Sequence, residues 1–219
     1  MKIMRKVSTL VICLLPASMI KNFLLSILGH EIRRSAHFGP NLVIGDCILS
    51  IVSESRVRPF NIFRNVQFSI GNQSIFGSWN WVSAAPSLRD FPNFQGLLKI
   101  EDGCGINSRN YFDCSGGIFF ESFADLAGVR STFITHFIDT STNKQACKPI
   151  RIGESTMLSS NLSVAPGASV GSKSVVAMGT VLINEKYPSN SLIAGVPGKV
   201  KAERQGEWFD RKIGPSNGF

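Results

Sequence analysis

The sequence has few charged residues, an odd number of cysteines and little histidine. Charged residues make up 17% of its 219 residues and hydrophobic residues 43%, which excludes an intrinsically disordered chain. The five cysteines contain no C-x-x-C pair. This argues against a disulfide framework and a zinc site, and it favours reduced thiols in a cytoplasm.

Acidic residues are outnumbered, and the formal net charge is +8. The basic excess lies at the two ends of the chain, at Lys2, Arg5, Lys6, Lys21, Arg33, Arg34, Lys199, Lys201, Arg204, Arg211 and Lys212. Such charge favours phosphate groups on a nucleic acid, a membrane or a cofactor, or it simply aids solubility. No motif interleaves basic with aromatic residues, so nucleic acid is not an expected partner.

The sequence has no apolar run of the roughly 20 residues that span a bilayer. MKIMRKVSTLVICLLPASM resembles a signal peptide, but Pro16 interrupts its apolar run and no A-x-A cleavage site follows. The next segment has apolar residues at helical spacing, namely Ile20, Phe23, Leu24, Ile27 and Leu28. We predict two short helices, which either lie on a membrane surface or cap the fold.

The segment from Ile152 to Leu182 has a period of six. An aliphatic residue occupies every sixth position, namely Ile152, Leu158, Val164, Val170, Val176 and Leu182, and a small residue follows each of the first five. Neither an α-helix nor a flat strand has this period. A parallel β-helix has it, because three six-residue sides make one triangular coil of about 18 residues.

The same period occurs earlier in the chain, at Ile100, Ile106, Phe112 and Ile118, and after a two-residue slip at Phe120, Leu126 and Thr132. Coils are therefore predicted from about residue 40 to 183. Two stretches interrupt them, Trp79–Gly96 and Thr140–Pro149. The second follows directly after FITHFID, a predicted half-buried strand that contains His136. Loops that leave a regular solenoid usually carry function.

Two stretches resemble the hexapeptide-repeat acyltransferases. IRIGESTMLSSNLSVAPGASVGSKSVVAMGTVL is similar to the closing coils of that family, and SLIAGVPGKVKAER to its exit segment. With ITHFID, the resemblance covers about residues 100 to 204. It implies a mainly β fold, a left-handed parallel β-helix, and acyl transfer from a coenzyme A thioester such as acetyl-CoA. YFDCSGGIFF and LAGVRSTFITHFID resemble the branch that O-acetylates sugars in bacterial surface-polysaccharide biosynthesis.

From these patterns we expect a helical N-terminal cap at residues 1–39, a β-helix acyltransferase domain at 40–200 and a C-terminal tail at 201–219. The resemblance implies a homotrimer with coenzyme A in a groove between neighbouring subunits and a sugar or glycan acceptor. The expected location is cytoplasmic. Peripheral contact of the N-terminal segment with the inner membrane is left open.

The resemblance also assigns site residues. His136 matches the catalytic histidine of the family, and an imidazole suits a general base that removes a proton from a hydroxyl near neutral pH. Ser160 and Met178 match positions that contact the coenzyme, and Lys199, with Lys201 close by, matches the contacts to its phosphates. Met178 departs from the family, in which a smaller residue is common.

Three further polar residues are candidates. Asp139 is predicted to hold the other ring nitrogen of His136. Asp113 or Asn110 is predicted to hold the acceptor sugar. Short polar residues in such coils also make turn hydrogen bonds, and this remains the alternative for all three.

The histidine count excludes one function, and several others stay open. A metal hydrolase on this fold needs three histidine ligands, but only His136 lies in the predicted coils, so no metal is expected. N-acetylation of an amino sugar, transfer to serine, and a non-catalytic scaffold or binding protein are the alternatives. Trp79, Trp81 and Phe91 favour either sugar stacking or ordinary loop packing.

Overall fold

The structure, a computed structural model, describes residues 2–204 and 206–210. It contains α1 (Lys2–Cys13), α2 (Met19–Ile27), two short 3₁₀ helices (Pro86–Leu88 and Glu207–Asp210) and short strands. The strands are β1 Glu31–Ile32, β2 His37–Phe38, β3 Leu42–Ile44, β4 Ile48–Ile51, β5 Arg56–Val57, β6 Ile62–Arg64, β7 Gln67–Ile70, β8 Ile75–Phe76, β9 Trp81–Ser83, β10 Leu97–Ile100, β11 Gly105–Ile106, β12 Tyr111–Asp113, β13 Ile118–Phe120, β14 Asp125–Leu126, β15 Thr132–Phe133, β16 His136–Asp139, β17 Lys144–Cys147, β18 Ile150–Ile152, β19 Met157–Leu158, β20 Ser163–Val164, β21 Ser169–Val170, β22 Val175–Val176, β23 Val181–Leu182, β24 Lys186–Tyr187, β25 Ser191–Ala194 and β26 Lys199–Glu203.

Three parallel sheets form the sides of a prism. The first contains β1, β4, β7, β10, β13, β18, β21 and β24, the second β2, β5, β8, β11, β14, β19, β22 and β25, and the third β3, β6, β9, β12, β15, β20 and β23. Each turn of the chain adds one strand to each side, with α1 and α2 at the N-terminal end. This architecture confirms the predicted fold class, a left-handed parallel β-helix with a short helical N-terminal cap.

The ends of the β-helix fall at identifiable residues. The first strand begins at Glu31, ahead of the predicted boundary at residue 40. At the C-terminal end, β26 turns back and pairs antiparallel with β25. The segment predicted as a tail, 201–219, lies partly outside the described residues. Among the described residues, neither α1 nor any other helix has the length and apolar content needed to cross a bilayer.

The period-six residues fill the interior of the prism. All six from Ile152 to Leu182 are buried. One residue of the earlier series was assigned wrongly: Thr132 faces outward, and Phe133 takes the interior position. The turn before β15, residues 127–131, is one residue longer than the turn before β12, residues 107–110, and this shifts the register by one.

The two interruptions leave the prism at one corner, between the third and the first sheets. The first is residues 84–96, after β9, and the second is residues 134–149, after β15. The coil between them crosses the same corner in a short turn, residues 114–117. We call this the excursion corner. The second excursion is a hairpin in which β16 pairs antiparallel with β17. His136 therefore lies in a hairpin strand and not, as predicted, in a strand of the coils.

A buried lysine joins the helical cap to the first coil. Lys21 is fully buried, and its ammonium group donates hydrogen bonds to four carbonyl oxygens at 2.8–3.0 Å, those of Cys13, Leu15, Phe38 and Gly39. The ammonium also lies 4.4 Å from the centroid of the Phe38 ring. One of the basic residues near the N-terminus thus stabilises the fold and does not face a partner.

His30 in the cap makes folding stability depend on pH. Its Nδ1 accepts from the Leu49 N–H at 3.3 Å and its Nε2 bonds Thr9 Oγ1 at 3.1 Å, so the ring is neutral. Burial, with a smaller effect of Arg5, lowers the pKa of His30 to about 4. As the pH falls, the His30 ring of the unfolded chain binds a proton at a higher pH than the ring of the folded chain. The contribution of the neutral ring to the free energy of unfolding is therefore fully present above the unfolded pKa of about 6.5, and it is lost as the pH falls toward the folded pKa.

We therefore expect His30 to lower the free energy of unfolding by about 2 kcal/mol as the pH is reduced from 7 to 5. Urea unfolding of the parent and of His30→Gln at both pH values measures this loss as the difference between the two proteins. His37→Gln is the matched control, because His37 is exposed. Equal acid destabilisation of the parent and the His30 variant would contradict the assignment.

Candidate active site

A histidine and a carboxylate from neighbouring coils meet at the excursion corner. His136 Nδ1 lies 2.7 Å from Asp113 Oδ2. The Asp113 side chain is only 5% exposed, whereas that of His136 is 41% exposed. The two residues are adjacent because Phe112 of β12 pairs with Phe133 of β15, one coil apart. Asp113 holds the imidazole ring of His136 from its buried side, and the other side of the ring is accessible to solvent.

The Asp113 carboxylate accepts several hydrogen bonds. Oδ1 accepts from the Ser115 hydroxyl at 2.7 Å, and Oδ2 accepts from the backbone N–H groups of Thr135 and His136 at 3.0 and 3.2 Å. Burial by itself raises the pKa of Asp113, but the hydrogen bonds from His136, Ser115 and Thr135 outweigh it and bring the pKa below its usual value. Asp113 is therefore an anion at neutral pH.

This anion determines the tautomer of His136. An ionised carboxylate has no proton to donate, so the proton of the neutral ring is assigned to Nδ1. Nε2 then carries a lone pair, and no hydrogen bond joins it to any described residue. A histidine in this state is ready to accept a proton from a bound molecule.

Both excursions are anchored to the short turn between them. The Ser115 carbonyl oxygen accepts from the N–H of Gln95 at 2.8 Å, and the Ser115 hydroxyl accepts from the N–H of Ala85 at 3.1 Å. On the other side, the N–H of Gly116 donates to the Thr135 hydroxyl at 2.8 Å. A Cβ on Gly116 would lie 2.8 Å from two carbonyl oxygens, so glycine is required for this close approach.

Two buried cysteines lie beside the pair. Cys147 is opposite His136 in the hairpin, and Cys114 directly follows Asp113. Burial raises the pKa of both thiols, and the nearby Asp113 carboxylate raises it further. Neither forms a thiolate at neutral pH, so neither acts as a nucleophile.

A shallow cavity of about 540 Å³ lies between the two excursions. Its lining residues are Phe91, Pro92 and Asn93 from the first excursion and Thr142, Lys144, Gln145 and Ala146 from the second. Ala146 pairs with Phe137, so the cavity begins one residue along the hairpin from His136. Gln145 Oε1 is buried and has no hydrogen-bond partner in the described part of the chain. A polar atom of this kind needs a donor.

The structure places the other predicted polar residues in different roles. Asp139 does not hold His136, and its carboxylate accepts from the N–H and hydroxyl of Ser141 at 2.9 and 2.6 Å. Residues three apart in a strand face opposite sides, which explains why the predicted Asp139–His136 pair is absent. The orienting carboxylate is Asp113, which was predicted to bind the acceptor and is instead buried against the ring.

Asn110 is part of a ladder of buried asparagines. The Oδ1 atoms of Asn41, Asn61, Asn80 and Asn110 each accept a backbone N–H from the next coil at 2.8–2.9 Å. The Asn110 amide group also donates to the carbonyl oxygens of Asn107 and Ser108. Its polar atoms are thus occupied within the coil, contrary to the predicted contact with an acceptor.

The predicted coenzyme residues lie mainly on another corner, between the second and third sheets. We call it the exit corner; it carries Ser160, Met178 and the turn that leads to Lys199. The N–H of Gly179 donates to the Ser160 carbonyl oxygen at 3.0 Å, so Ser160 and Met178 lie on consecutive coils. Lys201 lies beyond the corner, at a bulge in β26. The third sheet separates these residues from His136.

The first two predicted aromatic residues lie outside the cavity. Trp79 is exposed and stacks on Phe60, with ring centroids 4.8 Å apart. Trp81 packs beside Tyr111 on the outer face of the third sheet.

No group of three or more histidine, cysteine or acidic side chains that could hold a metal ion occurs among the residues described.

Fold and site together define a three-sided β-helix protein in which a buried carboxylate holds a partly exposed histidine. Comparison of the sequence with family models and with curated proteins yields no match. Among solved structures, one similar chain is a hexapeptide-repeat acetyltransferase from Vibrio cholerae in complex with acetyl-CoA. It has a TM-score of 0.46 and 14% identity, with 93% of this chain and 87% of that chain covered.

Two further solved structures are similar in fold. A maltose O-acetyltransferase from Clostridium difficile has a TM-score of 0.41 and 14% identity, with 69% of this chain and 70% of that chain covered. An N-acyltransferase from Bacillus cereus in complex with dTDP and coenzyme A has a TM-score of 0.42 and 18% identity, with 71% and 81% covered. At these identities the likeness concerns the fold alone.

Proposed function

We propose that the protein is a coenzyme A-dependent acyltransferase that O-acetylates a sugar hydroxyl of a surface polysaccharide or its precursor. The observation that carries this proposal is the 2.7 Å hydrogen bond between His136 Nδ1 and the buried Asp113 carboxylate. It leaves a lone pair on an accessible Nε2. A neutral hydroxyl needs such a base to become a nucleophile. The resemblance of the closing coils and the exit segment supplies the donor, acetyl-CoA.

The proposed reaction is a direct transfer. Nε2 of His136 takes the proton of the acceptor hydroxyl, and the oxygen attacks the thioester carbonyl carbon. A backbone N–H stabilises the resulting oxyanion. The Asp113 carboxylate stabilises the imidazolium ion that forms beside it. As the C–S bond breaks, the imidazolium returns the proton to the thiolate, and the products are an acetyl ester and free coenzyme A.

The cavity between the two excursions is the proposed acceptor site. It adjoins His136, and its lining combines the Phe91 ring with polar groups that suit a sugar. Gln145 Oε1 is unpaired and buried, and a rotation of the half-buried side chain would let it accept a hydrogen bond from a sugar hydroxyl. Gln145 pairs with Ile138 across the hairpin, two residues along from His136, which places it within reach of one sugar ring.

The coenzyme is proposed to bind at the exit corner of a neighbouring subunit. Ser160 and Met178 are on consecutive coils there, and Met178 is exposed. In a single chain the third sheet separates them from His136. A homotrimer, which the resemblance implies, would place the exit corner of one subunit beside the excursion corner of the next and so complete the site.

The test is release of free thiol from acetyl-CoA in the presence of neutral sugars, amino sugars and serine, with the particle mass measured by light scattering on the same sample. We expect release that depends on a sugar with a free hydroxyl, by a particle of trimer mass. Release with amino sugars alone would make the protein an N-acetyltransferase. A chain that binds no coenzyme and releases no thiol would be a scaffold, and an active monomer would contradict the shared site.

In the same assay, Gln145→Leu tests the acceptor site. Loss of one hydrogen bond to a sugar hydroxyl is expected to raise the acceptor KM about tenfold, with kcat and the KM for acetyl-CoA little changed. Gln73→Leu is the matched control, because Gln73 is exposed in the turn between β7 and β8, at the corner between the first and second sheets. An unchanged acceptor KM in the Gln145 variant would place the acceptor elsewhere while leaving the transferase proposal intact.

A further inference from the structure

Both helices of the cap expose a series of large apolar side chains. The exposed residues recur every three or four positions along each helix, namely Ile3, Met4, Val7 and Val11 in α1 and Met19, Ile20, Phe23 and Ile27 in α2. Phe23 is 54% exposed and Ile20 72%. The opposite side of each helix is buried against the coils, for example at Cys13 and Leu25. An apolar surface of this extent marks an interaction site.

Two arginines are held beside this surface by buried polar contacts. The amide group of Asn22 in α2 donates to the carbonyl oxygens of Arg33, Arg34 and Ala36 at 3.2, 3.4 and 2.9 Å. Asn22 itself is almost fully buried. Its amide therefore fastens the turn that carries both arginines directly against the helix that carries Phe23.

Aromatic and cationic groups line one shallow cavity here, of about 520 Å³. Phe23, Arg33, Arg34, Ser35 and Ser53 all contribute to its wall. Neither arginine pairs with a carboxylate within the described ranges. The nearest acidic side chain in sequence, Glu31, accepts a hydrogen bond from Ser50. The cavity thus combines an apolar wall, two guanidinium groups without a carboxylate partner and three serines, Ser26, Ser35 and Ser53.

The two helices of the cap carry charged residues of one sign. Residues 1–30 contain no aspartate or glutamate. Arg5 of α1 reaches the C-terminal end of α2, where its guanidinium lies within 4 Å of the position that a Cβ on Gly29 would take. Asp46 of the coils pairs with Lys6 at 2.8 Å, whereas Arg5, Arg33 and Arg34 have no carboxylate partner among the described residues. Apolar residues on one face with basic residues beside them are the pattern of helices that lie in a bilayer interface.

We propose that the cap is a docking surface for an anionic lipid bilayer. The exposed side chains of α1 and α2 enter the interface, and Arg33, Arg34 and the hydroxyls of Ser35 and Ser53 hold a phosphate headgroup in the cavity beside Phe23. Charge selects lipid over a second copy of this chain, because two such caps face to face would bring arginines against arginines. The proposal is independent of the acyltransferase proposal.

Co-sedimentation of the full chain with vesicles is the test. We expect binding to vesicles of phosphatidylglycerol mixed with phosphatidylcholine, weakened by salt, and much weaker binding to phosphatidylcholine alone. The double variant Arg33→Ala, Arg34→Ala should lower the partition to anionic vesicles roughly 30-fold. Phe23→Ser should lower it roughly tenfold. Thermal unfolding midpoints equal to that of the parent show that both variants are folded.

Matched controls come from surfaces away from the cap. The double variant Arg109→Ala, Arg130→Ala removes two exposed arginines from coil turns, and Ile138→Ser removes an apolar side chain as exposed as Phe23. Both should bind anionic vesicles like the parent. Equal binding to neutral and anionic vesicles, or equal loss in the control variants, would overturn the proposal. So would absence of vesicle binding together with a smaller particle mass for Phe23→Ser, which would identify the cap as a contact between copies.

Discussion

Replacement of His136 by alanine is expected to lower kcat for acyl transfer by about 10²- to 10⁴-fold. The variant loses an imidazole whose Nδ1 is held by the buried Asp113 carboxylate and whose Nε2 bonds no described residue. A hydroxyl in its neutral form then has to attack the thioester unaided. Thiol release from acetyl-CoA at saturating acceptor measures the effect directly.

Coenzyme binding separates this effect from misfolding. Because the proposed coenzyme contacts lie at the exit corner, the Kd of His136→Ala for coenzyme A should match that of the parent. His37→Ala is the matched control, since His37 is exposed in the first coil, and its kcat should not change. A His136 variant that keeps the parental rate would show that another group is the base.

Replacement of Asp113 by asparagine is expected to lower kcat by a similar factor, about 10²- to 10⁴-fold. The amide nitrogen of asparagine can donate to Nδ1 of His136, which would move the ring proton to Nε2 and remove the base. The neutral amide also no longer stabilises the imidazolium ion. Asp113 acts through His136, so acceptor KM should change little while kcat falls.

The matched control for this variant is Asp139→Asn. Asp139 is closer to His136 in sequence, but its carboxylate bonds Ser141, so the parental rate should be retained. Thermal unfolding of both variants reports any structural cost, which is greater for Asp113 because three residues, Ser115, Thr135 and His136, bond to its carboxylate. A low rate for the Asp139 variant, with a parental rate for the Asp113 variant, would reverse the assignment of the orienting carboxylate.

The two carboxylates show what a linear pattern can and cannot predict. His136 could be selected from the sequence because it is the sole histidine within the predicted coils and matches a family motif. Its partner is 23 residues away, and the two meet because consecutive coils stack in register. Asp139 was chosen for its proximity in sequence, but residues three apart in a strand point to opposite sides.

The excursions illustrate a second limit. The period of six located both interruptions, because breaks in a regular repeat are visible in the sequence. The period could not predict where each excursion begins. Trp81 belongs to strand β9, and His136 lies in the hairpin of the second excursion. The hairpin is antiparallel, and its pairing depends on hydrogen bonds that a repeat with parallel registers does not encode.

The sequence by itself determined the β-helix, its interior residues and the helical cap, because these follow from periodicity that repeats at every coil. Tertiary structure alone decided which polar groups meet. It assigned Asp113 to His136, used Asn110 and Lys21 to stabilise the fold, and placed Arg33 and Arg34 beside Phe23. The physical reason is the same in each case: a contact between coils, or between helix and coil, joins residues whose separation in sequence depends on the turns and excursions between them.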